Sequence, residues 1–304
     1  MNSKAQTGTA QILDGRKLAA EIRAELAAEV SELAATGLVP GLAVVLAGEN
    51  PASVSYVTAK EKACAEAGIR SFPHHLPADT EQEELLRLIE KLNHDPDVHG
   101  ILIQLPLPEG LDESALLRAV VPEKDVDGFH PVNIGKLVLG EEAFLPCTPH
   151  GVVTMLQQAG IATPGKHVVI VGRSNIVGKP LANLLMQKNL QADATVTICH
   201  TGTRDLAVHT RQADILIVAA GRPDTVTADM VREGAVVIDV GVNRVPDASR
   251  KSGYRLVGDV DYGALLPRVS HITPVPGGVG PMTIAMLLKN TVLAARRLAG
   301  GEQS

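Results

Sequence analysis

The sequence has no tryptophan, three tyrosines, three phenylalanines and three cysteines among its 304 residues. At 2% aromatic content it lacks a stacking platform for single-stranded nucleic acid. Basic excess is also missing. The 28 Lys and Arg against 34 Asp and Glu leave a formal charge of −6, so no cationic field draws the chain to DNA or to an anionic membrane. Cys64, Cys147 and Cys199 lie far apart without a CxxC pair, which excludes a disulfide framework and a thiolate zinc site and fits a reducing compartment. Every apolar run is broken by Gly, Pro or charge well short of the about 18 residues a membrane helix needs, and MNSKAQTGTAQILDG lacks a secretory core. The ten histidines contain no HExxH and no i, i+4 pair beside a carboxylate, so no metal is expected. These absences point to a soluble, cytoplasmic protein with no nucleic-acid or membrane partner.

What is present is apolar material, 45% of the residues, in a length that suggests two domains at about 150 residues each. Apolar positions recur at helical spacing from Arg16 to Thr36 and stop at Gly37. GLAVVLAG (Gly41 to Gly48) reads as a buried strand and Ser53 to Ala67 as a helix closing at Gly68. Thr80 and Glu83 read as a capping box opening a helix that ends near Asn93, and GILIQL (Gly100 to Leu105) as the next strand. The stretch from Glu123 to Pro149 is rich in Pro, Gly, Asp and Asn and reads as functional loops leading to a domain boundary.

A second series follows: HVVIVG from His167, ATVTIC from Ala194, DILIVAAG from Asp214 and AVVIDVG from Ala235, with helical spacers. Near-continuous Val/Ile strands alternating with helices predict a parallel sheet covered on both faces, a doubly wound Rossmann-type domain. The expected fold is therefore two α/β domains, with one long terminal helix, about Thr283 to Leu298, packing back on the first. The expected boundaries are 1–149 plus 282–304 for the first domain and 150–281 for the second.

The turn after the strand from His167 runs Gly172-Arg173-Ser174-Asn175-Ile176-Val177-Gly178. Gly172, Ser174 and Gly178 are small enough for backbone N–H groups to approach a phosphate at a helix N-terminus, although the loop departs from GxGxxG. The next strand ends Cys199-His200-Thr201 without the carboxylate that would grip an NAD ribose. Arg173 and Thr201 can serve a 2′-phosphate, so NADP is favoured, with Arg204 read as a surface residue. Tyr56 and Lys60 stand i, i+4 on one helix face, a spacing that alone signals no more than packing. Gln104 lies at the carboxyl end of a strand, where ligands of open α/β sheets bind. Asp125 and Asp127 flank Val126 before Gly128. The run Pro274-Val275-Pro276-Gly277-Gly278-Val279-Gly280-Pro281 is too stiff and glycine-rich for a linker, and Pro281 reads as the first residue of the terminal helix.

The motifs YVTAK at Tyr56, GILIQLPLP at Gly100, KDVDGFHPVNIGKL at Lys124, PCTPHGV at Pro146, VGRSNIVGKP at Val171 and PVPGGVGPMT at Pro274 together resemble the bifunctional methylenetetrahydrofolate dehydrogenase/methenyltetrahydrofolate cyclohydrolase (FolD) family. The resemblance runs from about residue 11 to the last helix. It implies NADP-linked oxidation of 5,10-methylenetetrahydrofolate and hydrolysis of the product to 10-formyltetrahydrofolate in one cleft between the domains, supplying one-carbon units for purine synthesis. It further implies that Lys60 is the catalytic lysine, that Gln104 hydrogen-bonds it, that Tyr56 lies against the folate and that Asp127 grips the pterin. Leu105, Pro276, Gly277 and Gly278 join the implied substrate contacts. Gly172, Arg173, Ser174, Ile176, Val177, Gly178, His200, Thr201, Gly221 and Val242 form the implied cofactor set. A homodimer through the nucleotide domain, with AVVIDVG or a neighbour as its edge, is implied as well. Thr201 stands where many members carry Ser. Cys147 reads as structural, and the first ten or so residues as an unstructured extension. Two alternatives stay open on the residues alone: an NADP-dependent dehydrogenase of another small substrate, and a non-catalytic NADP-binding sensor.

Overall fold

The computed structural model describes residues 9–189, 191–250 and 253–300. The chain divides into two units, residues 1–18 with 148–283, and residues 19–147 with 284–304.

The unit that begins at residue 19 is built on three parallel strands in the order β3-β2-β4, with β2 at Gly41–Ala47, β3 at Arg70–Leu76 and β4 at Gly100–Ile103. All seven residues of β2 are buried because both neighbours and both faces are covered. On one face Ala43, Val45, Ile101 and Ile103 pack with Leu85, Ile89 and Leu92 of α3 (Gln82–His94) and Leu116 of α4 (Glu113–Ala119). Helices α1 (Gly15–Ala35) and α2 (Pro51–Ala67) precede them in the chain. The Asn50 side chain accepts from the Ala52 and Ser53 amides, and Pro51 follows at the first helical position, so α2 starts two residues before the apolar pattern does.

Strand β3, sequence RSFPHHL, has no counterpart in the sequence analysis. It is an edge strand of mixed exposure, where Pro73 costs no interior ladder bond. The capping box also fails. The Thr80 hydroxyl donates to the Pro77 carbonyl at 2.8 Å, and α3 begins after Glu81 with no side-chain cap. The loops expected from Glu123 to Pro149 contain α5 (Pro131–Leu139), capped by His130 Nδ1 and closed by Gly140 in the left-handed conformation.

The other unit carries six parallel strands in the order β1-β11-β8-β7-β5-β6. Its core strands are β5 (His167–Val171), β6 (Thr195–Cys199), β7 (Ile215–Val218) and β8 (Val236–Asp239). Helices α6 (Cys147–Gln158, in this unit from Thr148 on), α7 (Gly178–Leu185), α8 (Leu206–Thr210) and α9 (Tyr262–Leu265), and a hairpin of β9 (Asn243–Pro246) with β10 (Tyr254–Val257), complete it. Strand β1 (Gln11–Ile12) pairs with β11 (His271–Ile272). The N-terminal segment thus joins this unit rather than the first domain assigned to it from sequence, because its Gln11 and Leu13 amides donate to Ser270 O and Ile272 O at 2.9 Å. Ala10 is buried and its N–H donates to Leu266 O, so the extension read from sequence does not reach residue 10; residues 1–8 lie outside the described residues. AVVIDVG is interior, flanked by β7 and β11, and supplies no edge; the edges are β1 and β6.

The last helix, α10 (Val279–Gly300), starts two residues before Pro281, whose missing N–H still falls within the unbonded first turn. From Ile284 onward it belongs to the three-stranded unit, where Asn290 Nδ2 donates to the carbonyls of Val126 and Leu145 at 2.8 and 3.0 Å. Among the described residues, no helix is long and apolar enough to cross a membrane.

Candidate active site

In the three-stranded unit, α2 presents Lys60 toward the end of β4. The ladder continues one residue past β4, Gln104 N donating to Val45 O at 2.9 Å, and this places the Gln104 side chain at the strand's carboxyl end. Its Nε2 donates to the Leu105 carbonyl at 2.7 Å, so Oε1 faces Lys60 and accepts from Nζ at 2.9 Å. Lys60 is only 7% exposed. Burial lowers its pKa, against the opposing pull of the Asp127 carboxylate and, more weakly, the Cys147 and Cys64 sulfurs. One turn earlier, Tyr56 stands 40% exposed, an aromatic face open to a ligand.

The Lys124–Gly128 run is built from three differently used charges. Lys124 is buried and donates to the Leu92 and Asp95 carbonyls at the C-terminal end of α3, a structural anchor. Asp125 is buried too. It accepts from the Phe129 and His130 amides and from Asn133 Nδ2 at 2.8 to 3.1 Å, and burial pushes its pKa up to about 7. Asp127 is the one of the three with no such structural bond to the backbone. Burial raises its pKa, while Lys60 and a hydrogen bond from the Cys147 thiol pull it back. The Cys147 thiol, pushed well above its ordinary value by burial, stays neutral and serves as a donor rather than a nucleophile. Lys60, Gln104, Asp127 and Cys147 therefore form one cluster. The sequence analysis left Cys147 outside that group, because its spacing from Lys60 carries no pattern.

The glycine loop of the six-stranded unit joins β5 to α7. Gly172 has φ +135°, and a Cβ there would sit 2.3 Å from Ala219 O; one on Gly178 would sit 2.1 Å from Gly172 O. Ser174 Oγ accepts from Val177 N at 3.1 Å, and Lys179 Nζ donates to Asn175 Oδ1. Lys179 N donates back to Ser174 O at 3.1 Å and Pro180 has no N–H, which leaves Gly178 N as the open amide of the first turn of α7, a backbone cradle of the kind that receives a phosphate. Ile176 and Val177 are half-buried, and Arg173 is exposed at the mouth of the loop. His200 Nδ1 accepts from Gly202 N, and the His200 backbone N–H donates to Thr203 Oγ1, leaving the exposed Thr201 hydroxyl available. Gly221 and Val242 are exposed beyond the carboxyl ends of β7 and β8. Pro276, Gly277 and Gly278 also lie in this unit. Gly277 O accepts from Arg16 N at 3.1 Å, and Gly278 N donates to Pro274 O at 2.8 Å. Among the described residues, no cluster of His, Cys, Asp or Glu could hold a metal.

Residues 13–127 match the family model described as tetrahydrofolate dehydrogenase/cyclohydrolase, catalytic domain, and residues 146–299 match its NAD(P)-binding domain. The bifunctional protein FolD of Moorella thermoacetica is 60% identical over 288 residues, 95% of this chain and 99% of that protein. Among solved structures, FolD from Campylobacter jejuni is 52% identical with a TM-score of 0.89, over 95% of this chain and 99% of that one. The Trypanosoma brucei enzyme, complexed with NADP cofactor and inhibitor, is 43% identical with a TM-score of 0.91, over 95% and 98%. With both halves matched and the identity spread over nearly the whole length, the chain belongs to the tetrahydrofolate dehydrogenase/cyclohydrolase family.

Proposed function

We propose that this chain oxidises 5,10-methylenetetrahydrofolate with NADP+ to the 5,10-methenyl cation and hydrolyses that cation to 10-formyltetrahydrofolate. The observation that carries the proposal is the buried Lys60, held at 2.9 Å by a Gln104 whose own orientation is fixed.

In the first step a C–H bond of the one-carbon bridge breaks, its electron pair leaves as hydride, and the neighbouring nitrogen lone pair makes the methenyl cation. NADP+, when bound, accepts that hydride. The protein's part is alignment: Tyr56 supports the folate rings, and the Asp127 carboxylate takes the pterin amide N–H and amino group as a two-point contact. In the second step water adds to the methenyl carbon, a proton is released and one C–N bond opens. Lys60, with its pKa lowered by burial and lowered further by a cationic substrate, is the base that takes the proton; Gln104 holds its nitrogen toward the reacting carbon. Leu105, Pro276, Gly277 and Gly278 are the further substrate residues that the family motifs imply, and the nucleotide, when bound, would be held by Gly172 to Gly178 without Asn175, with His200, Thr201, Gly221 and Val242. Arg173 and Thr201 would serve its 2′-phosphate.

The functional division of the chain follows these roles, a folate-binding part that includes the terminal helix and an NADP-binding part. A homodimer is part of the proposal. The exposed β6 edge, with Ile198 on the strand and Met186 and Val208 nearby in sequence as further exposed apolar residues, supports pairing through the nucleotide unit, and light scattering at twice the chain mass tests it. The three free, buried cysteines suit a reducing cytoplasm.

The test is a paired assay. Methenyltetrahydrofolate absorbance is expected only with methylenetetrahydrofolate and NADP+ together, and supplied methenyltetrahydrofolate is expected to be hydrolysed without cofactor. NADP+ binding with neither turnover would make the chain a sensor and overturn the proposal.

A further inference from the structure

Two carboxylates of the six-stranded unit take no part in the chemistry above. Asp239 ends β8, Asp259 lies between β10 and α9, and both are buried. Their oxygens are occupied almost entirely by backbone amides. Asp259 Oδ2 accepts from Ala220 N at 2.6 Å and Gly221 N at 2.8 Å, and its Oδ1 accepts from Asn243 Nδ2 at 2.8 Å. Asp239 accepts from Gly241 N at 3.0 Å, from Asp259 N at 2.9 Å and from Val260 N at 3.1 Å. Asp239 N donates in turn to Thr273 Oγ1 at 2.7 Å, next to the Pro274 loop.

The result is a knot of four segments at the carboxyl ends of β7 and β8, where an open α/β sheet binds its ligand. The chain is shaped around it. A Cβ on Gly258 would sit 1.8 Å from Asp239 Oδ2, and one on Gly241 would sit 2.1 Å from Asp259. The knot also reaches the phosphate cradle. Asp259 pins the amides of Ala220 and Gly221, and the carbonyl immediately before them, Ala219 O, is the atom against which the bare Gly172 fits. Any shift of residues 219–221 therefore moves the floor of the glycine loop. Two adjacent amides converge on one carboxyl oxygen, which fixes that loop at two successive residues.

We propose that Asp259, braced by Asp239 and Asn243, is a positioning residue that shapes the Ala219–Gly221 loop for the dinucleotide. It rests on the proposed nucleotide role of this unit. Asp259→Asn is expected to weaken NADP+ binding by tenfold or more in isothermal titration calorimetry. It should raise the KM for NADP+ while leaving the folate KM and the cofactor-free cyclohydrolase rate within twofold. Amide exchange at Ala220 and Gly221 should quicken. Unchanged NADP+ affinity in the folded variant overturns the proposal. Should Asp259→Asn fail to fold, Asn243→Ala decides: a threefold or greater loss of affinity supports the brace, and a smaller one overturns it. A wild-type chain that binds no NADP+ defeats the nucleotide assignment and this proposal together, whereas normal wild-type binding with an unaffected variant defeats only this one.

Discussion

The Lys60 cluster and the Gly172 loop solve opposite problems. Around Lys60 the proposed chemistry resides in side chains, and the fold buries titratable groups beside one another so that each shifts the next. Around Gly172 the proposed nucleotide contacts are made by backbone, and the fold leaves no room for side chains at the two glycines. Removing atoms should therefore damage the first region, and adding atoms should damage the second.

The largest expected effect follows from deletion in the first region. Lys60→Met should lower methenyltetrahydrofolate hydrolysis by about 10³-fold, the scale of a lost general base, with NADP+ affinity intact. Undiminished hydrolysis would remove Lys60 from the mechanism. Next in size is addition in the second region: Gly172→Val should weaken NADP+ by about 100-fold, since a branched side chain meets Ala219 O at a φ that disfavours it, while cofactor-free hydrolysis persists. Loss of both activities together would show that the two regions are not separable. Arg173→Ala should cost about tenfold in NADP+ affinity and little in NAD+ affinity, because only the former carries the 2′-phosphate. Equal losses measured by calorimetry would reassign that side chain.

The smallest effect concerns stability rather than turnover. Asp125 has a folded pKa of about 7 against an ordinary 3.8, so the folded state holds its proton longer than the unfolded chain does. Its contribution is most favourable below pH 3.8 and is lost as pH rises toward about 7. Asp125→Asn removes that dependence. Denaturant midpoints of the variant should gain on the wild type between pH 4 and 7, and parallel curves would show that Asp125 does not titrate there.

Much of the architecture was legible because both sheets are parallel and buried, which writes Val/Ile runs such as HVVIV and ILIV directly into the chain. Strand β3 was not, since an edge position lets RSFPHHL carry a proline and two histidines without an apolar pattern. Helix α5 was hidden by its short length and by Gly135 within it. The Lys60–Gln104 contact spans 44 positions, so spacing alone never joined the two; the family motifs did. Cys147 and the Asp239–Asp259 knot escaped because isolated acids and thiols look alike until the fold shows what their atoms touch.

Asn290 binds the Val126 and Leu145 carbonyls from a helix made after every other element of its unit. On the ribosome, residues 148–283 emerge before this helix does and can settle into their own sheet while the loop carrying Asp127 still waits for its clasp. The half of the molecule encoded first is thus completed last, and a nascent chain stalled before residue 284 would hold a nucleotide fold beside an unfinished folate one.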